Sequence, residues 1–142
     1  MHPALRLGVL AAGFNSGMLL VNIGFTNSKA VATLNPEMFS PFGQLMVLVW
    51  GAAYLAAGYS RAEGPIWYVF AIEKLAYVVG WIKWHVSHNA LAFVMDAYHE
   101  VNVPGHKTSL LAAIFHMGYG VGDAIFAIAF AYHAMTQSGK HD

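Results

Sequence analysis

Three charged residues in this chain lie where membrane-spanning helices are expected. Asp123 is the one fully charged residue in residues 109–135, and Glu73 and Lys74 interrupt a second apolar stretch, residues 66–82. Charged side chains at the centre of a bilayer cost roughly 2.5–3.5 kcal/mol each on insertion scales, so they commonly mark functional sites. These three residues are therefore the first candidates for chemistry.

Glu73 and Asp123 have the side chains that acid–base catalysis requires. In an enzyme they would move protons on a hydrophobic substrate, as in an isomerase or a hydratase. Two acids with one lysine leave one carboxyl group surplus, and a surplus acid near His116 could relay protons. The alternative is structural, with Lys74 neutralising one of the acids and asparagines bridging the helices. The sequence leaves both alternatives open.

The remaining polar residues of the apolar stretches fall into two layers. With a rise of about 1.5 Å per residue, one layer lies within about one helical turn of a single depth. It contains Asn15, Glu73, Lys74 and Asp123. The layer one step further along the helices contains Asn22, Gln44, Tyr77, His116 and Tyr119. Polar groups must be hidden from hydrocarbon, so both layers are predicted to face the interior and to form a ligand-binding site.

Histidines suggest a second kind of site. His85 and His88 are three residues apart at the end of one apolar stretch, and His116 begins another. Imidazole is the commonest metal ligand, and this spacing can place two rings on one ion. The cofactor hypotheses are a Zn, Fe or Cu ion, or a b-type haem between His116 and His85 or His88. The competing interpretation is an interfacial belt that also contains Trp81 and Trp84.

The composition is that of a membrane protein. Of the 142 residues, 58% are hydrophobic and 10% are charged, whereas a soluble domain carries about 25% charged residues. The formal net charge is zero and no basic run occurs, so nucleic-acid binding has no support. The chain has no cysteine, which excludes disulfides, thiolate metal sites and cysteine nucleophiles.

The elements that must position these residues are four transmembrane helices in a single domain, residues 1–142. Each predicted span is close to the roughly 20 residues that a bilayer requires. The spans are residues 3–25, 41–59, 65–88 and 109–135. The fold class is thus an all-α, integral membrane four-helix bundle. An even number of spans places both termini on the same side, while evenly distributed Lys and Arg leave the orientation open.

The connections and the small residues add detail. Ser40 and Pro41 are typical of a helix start, and residues 35–37 fit one helical turn. Residues 89–107 fit an interfacial helix or a continuation of the third helix out of the membrane. Glycines indicate close helix packing, and they occur at Gly13, Gly17, Gly51, Gly58, Gly118, Gly120 and Gly122. A second aromatic belt is predicted at Tyr59, Trp67, Tyr68 and Tyr132.

Several functions fit this arrangement. The first is a multi-pass membrane protein that binds a small apolar ligand, such as a lipid, a quinone or a sterol-like molecule, beside the polar layers. The second is an accessory subunit that docks on a larger membrane complex or on a second copy through its small-residue faces. The acid–base enzyme and the metal or haem protein complete the set. Membrane lipid is the one partner that all of them share.

Overall fold

The computed structural model describes residues 1–17, 32, 35–87 and 107–138, with the backbone alone for residues 107–113. The secondary structure of these residues is helical, without strands. Helix α1 is Pro3–Ala12 and α2 is the short Pro36–Phe39. The long helices are α3, Pro41–Ser60, α4, Gly64–Ser87, and α5, Lys107–Ser138. Asn22, His88 and the predicted interfacial helix lie outside the described residues.

Three helices are long and apolar enough to cross a membrane, as judged by their length and composition. They are α3, α4 and the segment Ile114–Gln137 of α5. The chain is therefore an all-helical protein of membrane type within its described part. The first predicted span, residues 3–25, is described only as far as residue 17, so a fourth span stays a prediction.

Local sequence fixes where α3 begins and ends. The Ser40 hydroxyl accepts a hydrogen bond from the Gly43 amide at 3.1 Å, and Pro41 occupies the first turn, where no amide donor is needed. Arg61 ends the helix with φ 54°, in the left-handed region, and its amide donates to the carbonyls of Ala57 and Gly58. The predicted start at Ser40–Pro41 is confirmed, and α2 confirms the predicted helical turn at Pro36.

The helices associate in two antiparallel pairs, α1 with α3 and α4 with α5. Within the first pair, glycines allow the backbones to touch. A Cβ at Gly8 would overlap the Tyr54 carbonyl oxygen, and a Cβ at Gly58 would lie 2.8 Å from the Ala4 carbonyl oxygen. Gly13 and Gly17, the GxxxG pair, have no described atom within 4 Å of such a Cβ. The close packing thus uses Gly8 and Gly58.

The two pairs meet through large side chains in two aromatic clusters. One cluster is built from Tyr54, Trp67, Phe70 and Phe130, with small residues of α1 beneath them. The other contains Phe39, Val47, Phe115 and Tyr119. Along α4 and α5, Lys74 and Asp123 fall between members of the two clusters. The polar layer is therefore enclosed by apolar side chains on both sides.

The predicted aromatic belts need correction. Trp67 is 0% exposed and its indole donates to the Ala62 carbonyl at 2.9 Å, and Trp84 is also buried. Both belong to the interior, because their rings pack on residues of α5. Tyr59 and Tyr132 are exposed, as a belt requires. A tryptophan near a helix end therefore does not by itself indicate the membrane surface.

Lys83 on α4 donates to a Glu37 carboxylate oxygen of α2 at 2.9 Å, and both side chains are exposed. The hydrogen bond and charge of Lys83 hold the pKa of Glu37 below its ordinary 4.5. Because the pKa of Glu37 is lower in the folded state, the pair makes its small contribution to stability above the ordinary pKa. This contribution is lost as the pH falls through the folded-state pKa. We expect the Glu37 carboxyl carbon, followed by NMR, to titrate below 4.5 and to return towards 4.5 in Lys83→Met. An unchanged midpoint in that variant would show that the pair does not form.

Candidate functional site

The centre of the candidate site is the ammonium group of Lys74, which is 1% exposed. Its Nζ donates to Asp123 Oδ1 at 2.5 Å and to Asn15 Oδ1 at 2.6 Å. These partners come from α5 and from the segment that follows α1. Removing two charges from water is costly, and the cost is offset only when the pair has good geometry and further hydrogen bonds. Asn15 supplies such a bond, so Lys74 and Asp123 form a neutral, buried pair.

Asn15 reaches Lys74 from a widened helical turn. Residues 13–17 continue α1 in π-helical form, and such turns are frequent at functional sites. The Asn15 amide nitrogen donates to the Val47 carbonyl oxygen of α3 at 3.2 Å, while its oxygen accepts from Lys74. One side chain therefore connects α1, α3 and α4, and joins the two helix pairs at the depth of the ion pair.

Aromatic faces complete the surroundings of the ammonium group. Its Nζ lies 5.2 Å from the ring centroid of Tyr54, 5.5 Å from that of Phe14 and 5.8 Å from that of Tyr77. Ring faces attract a cation within about 6 Å, and the attraction is larger where water is excluded. The positive charge is thus held by one carboxylate, one amide oxygen and three rings.

Glu73 belongs to a separate hydrogen-bonded pair. The Tyr54 hydroxyl donates to Glu73 Oε2, and Glu73 is buried. Its other oxygen, Oε1, has no hydrogen-bond partner among the described residues. The hydrogen bonds therefore divide the first predicted layer into an Asn15–Lys74–Asp123 group and a Tyr54–Glu73 pair. The predicted burial of all four polar residues is confirmed, while the catalytic role of Glu73 and Asp123 stays a prediction.

A small cavity lies beside the ion pair, between the two helix pairs. The space in which the centre of a water molecule fits has a volume of about 20 Å³, and the described boundary of the cavity is partly open. A buried water requires roughly 10–15 Å³ on this measure, so the cavity accommodates one group of that size. The lining residues are Phe14, Asn15, Phe39, Val47, Lys74, Tyr77, Phe115, Tyr119 and Asp123. Glu73 is not among them, so the two acids do not share this space.

The second predicted layer is divided between the cavity and the packing around it. Tyr77 and Tyr119 line the cavity. Gln44 instead donates to the Phe39 carbonyl oxygen at 2.9 Å and holds the end of α2. His116 is buried, with its ring 5.2 Å from those of Phe39 and Trp84. The ligand-binding roles of these residues stay predictions.

The predicted metal site receives no support within the part of the chain that is described. No three His, Asp or Glu side chains gather there closely enough to hold an ion. His85 Nδ1 donates to the Trp81 carbonyl oxygen at 2.9 Å, and the rings of His85 and His116 both lie 5.2 Å from the Trp84 ring. The tryptophan thus packs against both imidazoles, and His88 lies outside the described residues. The described residues therefore gather no metal site, and the metal and haem hypotheses that involve His88 stay predictions.

Sequence reasoning missed much of the wall of the cavity. Phe14, Phe39, Val47 and Phe115 line it, yet apolar residues on helices carry no signal that separates a cavity wall from ordinary packing. Phe39 offered a partial signal, because it follows Asn35–Pro36, a typical helix start, within an otherwise polar connection. The pairing of Tyr54 with Glu73 had no signal in the sequence.

No family model matches this chain, and neither a curated protein nor a solved structure is significantly similar to it. The class of protein is therefore defined by the fold and the site alone. The described residues form an all-helical protein of membrane type in which a neutral lysine–aspartate pair adjoins a small cavity. A function has to be inferred from that geometry.

Proposed function

We propose that this chain is an integral membrane protein of four spans that binds a small, largely apolar ligand. The ligand is held through one polar group at its end. The first helix would continue through residues 3–25, which would place both termini on the same side of the membrane. Support comes from the three helices that can cross a membrane and from the burial of Lys74 and Asp123 between helices. Membrane lipid surrounds the exposed apolar faces.

The observation that carries the proposal is the composition of the cavity wall. Ligand sites are mostly apolar with a few converging polar groups. Here, Lys74, Asp123 and Asn15 meet aromatic and aliphatic side chains around one space. A purely structural ion pair needs good geometry and further hydrogen bonds, but it does not need an adjoining space.

The size of the cavity limits what enters it. A space of about 20 Å³ accepts a single oxygen or a group of similar size. The ligand therefore inserts one polar group towards Lys74, and its apolar remainder lies against Phe14, Phe39 and Phe115. These rings are side chains that bridge the two helix pairs, so changes of rotamer enlarge the space without moving the helix backbones.

Filling the cavity tests the proposal. Val47 lines the cavity and is buried, whereas Val49 on the same helix is exposed and lies outside it. We expect native mass spectrometry of the protein, released from its own membrane in a mild detergent, to show one small apolar molecule bound per chain. Val47→Phe should lose that molecule because the larger ring occupies its place, and the matched Val49→Phe should retain it.

Two outcomes would contradict ligand binding. One is a spectrum of the unmodified protein in which no small molecule is retained at any collision energy that preserves the fold. The other is retention by Val47→Phe that equals retention by Val49→Phe. Circular dichroism of both variants serves as the control, because a helical spectrum shows that a loss of the ligand is not a loss of the fold.

A further inference from the structure

The groups facing the cavity differ in their hydrogen-bonding capacity. A lysine ammonium has three N–H donors and no acceptor. Within the described part of the chain, two N–H donors of Lys74 form hydrogen bonds, one to Asp123 and one to Asn15. The third N–H remains for an acceptor in the space that Lys74 lines.

Tyr119 presents a second donor to the same space. This residue is 3% exposed and lines the cavity, and its hydroxyl has no hydrogen-bond partner among the described residues. A buried hydroxyl without a partner costs free energy. The Tyr54 hydroxyl is occupied by Glu73. Tyr77 also lines the cavity, but it is only half-buried and its hydroxyl is not among the buried groups that lack a partner. Tyr119 is therefore the tyrosine with unmet hydrogen-bonding capacity at this site.

We infer that the ligand presents a carbonyl oxygen, which accepts hydrogen bonds from both the Lys74 ammonium and the Tyr119 hydroxyl. This inference rests on the proposed function and adds the chemical class of the ligand, an apolar ketone or quinone. A carbonyl oxygen has two lone pairs and no proton, so it satisfies two donors and requires no acceptor. The Lys74–Asp123 pair is neutral overall, so the site matches an uncharged carbonyl compound better than a carboxylate.

Three probes with one carbon skeleton separate the possibilities. Acetophenone carries the carbonyl oxygen, ethylbenzene lacks it, and 1-phenylethanol replaces it with a hydroxyl that also donates. We expect the full-length protein in lipid nanodiscs to bind acetophenone about tenfold more tightly than ethylbenzene, since a hydrogen bond from a charged donor contributes about that factor. The carbonyl stretch of ¹³C-labelled acetophenone should shift to lower frequency on binding.

Tyr119→Phe removes one donor and keeps the ring. We expect this variant to bind acetophenone about fivefold more weakly, with its carbonyl band at higher frequency, while ethylbenzene binding is unchanged. The ligand-free variant should be at least as stable as the unmodified protein, because it no longer buries an unpartnered hydroxyl. Tyr68→Phe, a change at a partly exposed tyrosine on α4, should alter neither affinity nor the band.

The outcomes distinguish this inference from the proposal on which it depends. Equal binding of acetophenone and ethylbenzene would preserve an apolar ligand site and overturn the carbonyl assignment. Binding of 1-phenylethanol as tightly as acetophenone would overturn it as well, as would an unchanged carbonyl band in Tyr119→Phe. If none of the three probes binds, a water molecule alone occupies the space, and the proposed function fails together with the inference.

Discussion

Lys74→Met is expected to destabilise the protein by about 3–5 kcal/mol, the usual cost of breaking a buried ion pair by removing one partner. Methionine has a similar length, so little volume is lost, but Asp123 is left as a carboxylate enclosed by apolar side chains. Asn15 also loses the donor that its side-chain oxygen accepts from at 2.6 Å. The measurement is the free energy of unfolding in mixed micelles, followed by circular dichroism.

The double variant Lys74→Met, Asp123→Leu is the control that separates charge from packing. Replacing both members of a buried pair by apolar residues is often neutral or stabilising, so the double variant should recover most of the loss. Lys83→Met, which removes a lysine from an exposed pair, should leave the free energy of unfolding nearly unchanged, because exposed ion pairs contribute little. A Lys74→Met protein as stable as the unmodified one would show that the ion pair is not buried as described.

Gly8→Ala is expected to destabilise the protein by about 1–3 kcal/mol, the typical cost of overpacking. The new methyl group would overlap the Tyr54 carbonyl oxygen, and a backbone atom cannot move aside by changing rotamer. Helices α1 and α3 would have to separate, which would also weaken the hydrogen bond between Asn15 and the Val47 carbonyl oxygen. The readout is again the free energy of unfolding.

Gly13→Ala is the matched change, because no described atom lies within 4 Å of a Cβ at Gly13. Alanine is favoured over glycine in a helix by about 1 kcal/mol, so Gly13→Ala should be neutral or slightly stabilising. A Gly8→Ala protein that is no less stable than Gly13→Ala would contradict the contact between Gly8 and the Tyr54 carbonyl oxygen.

The polar groups connect two helix pairs that otherwise meet through aromatic side chains. Lys74 bonds to Asn15 across the pairs, and Tyr54 bonds to Glu73 across the same boundary. A ligand that accepts a hydrogen bond from Lys74 would act at this boundary. Its binding should therefore stabilise the association of the two pairs as well as occupy the cavity, because it binds the folded state alone.

Composition and local chemistry were sufficient to predict the three long helices. Apolar stretches of membrane-spanning length predicted α3, α4 and most of α5. Ser40–Pro41 predicted the start of α3, which is confirmed by the hydrogen bond from the Gly43 amide to the Ser40 hydroxyl. The common depth of Asn15, Lys74 and Asp123 was also predictable. Depth along a helix depends on one local quantity, a rise of about 1.5 Å per residue.

The choice of partners was decided only by the tertiary structure. Both acids were predicted at the depth of Lys74. Neighbouring positions on α4 are rotated by about 100° around the helix, so Glu73 pairs with Tyr54 while Lys74 pairs with Asp123. The contact of Gly8 with α3 and the entry of Phe39 into the cavity wall were likewise unpredictable. Such features depend on how distant segments rotate and pack against one another, whereas sequence spacing fixes only what lies along a single helix.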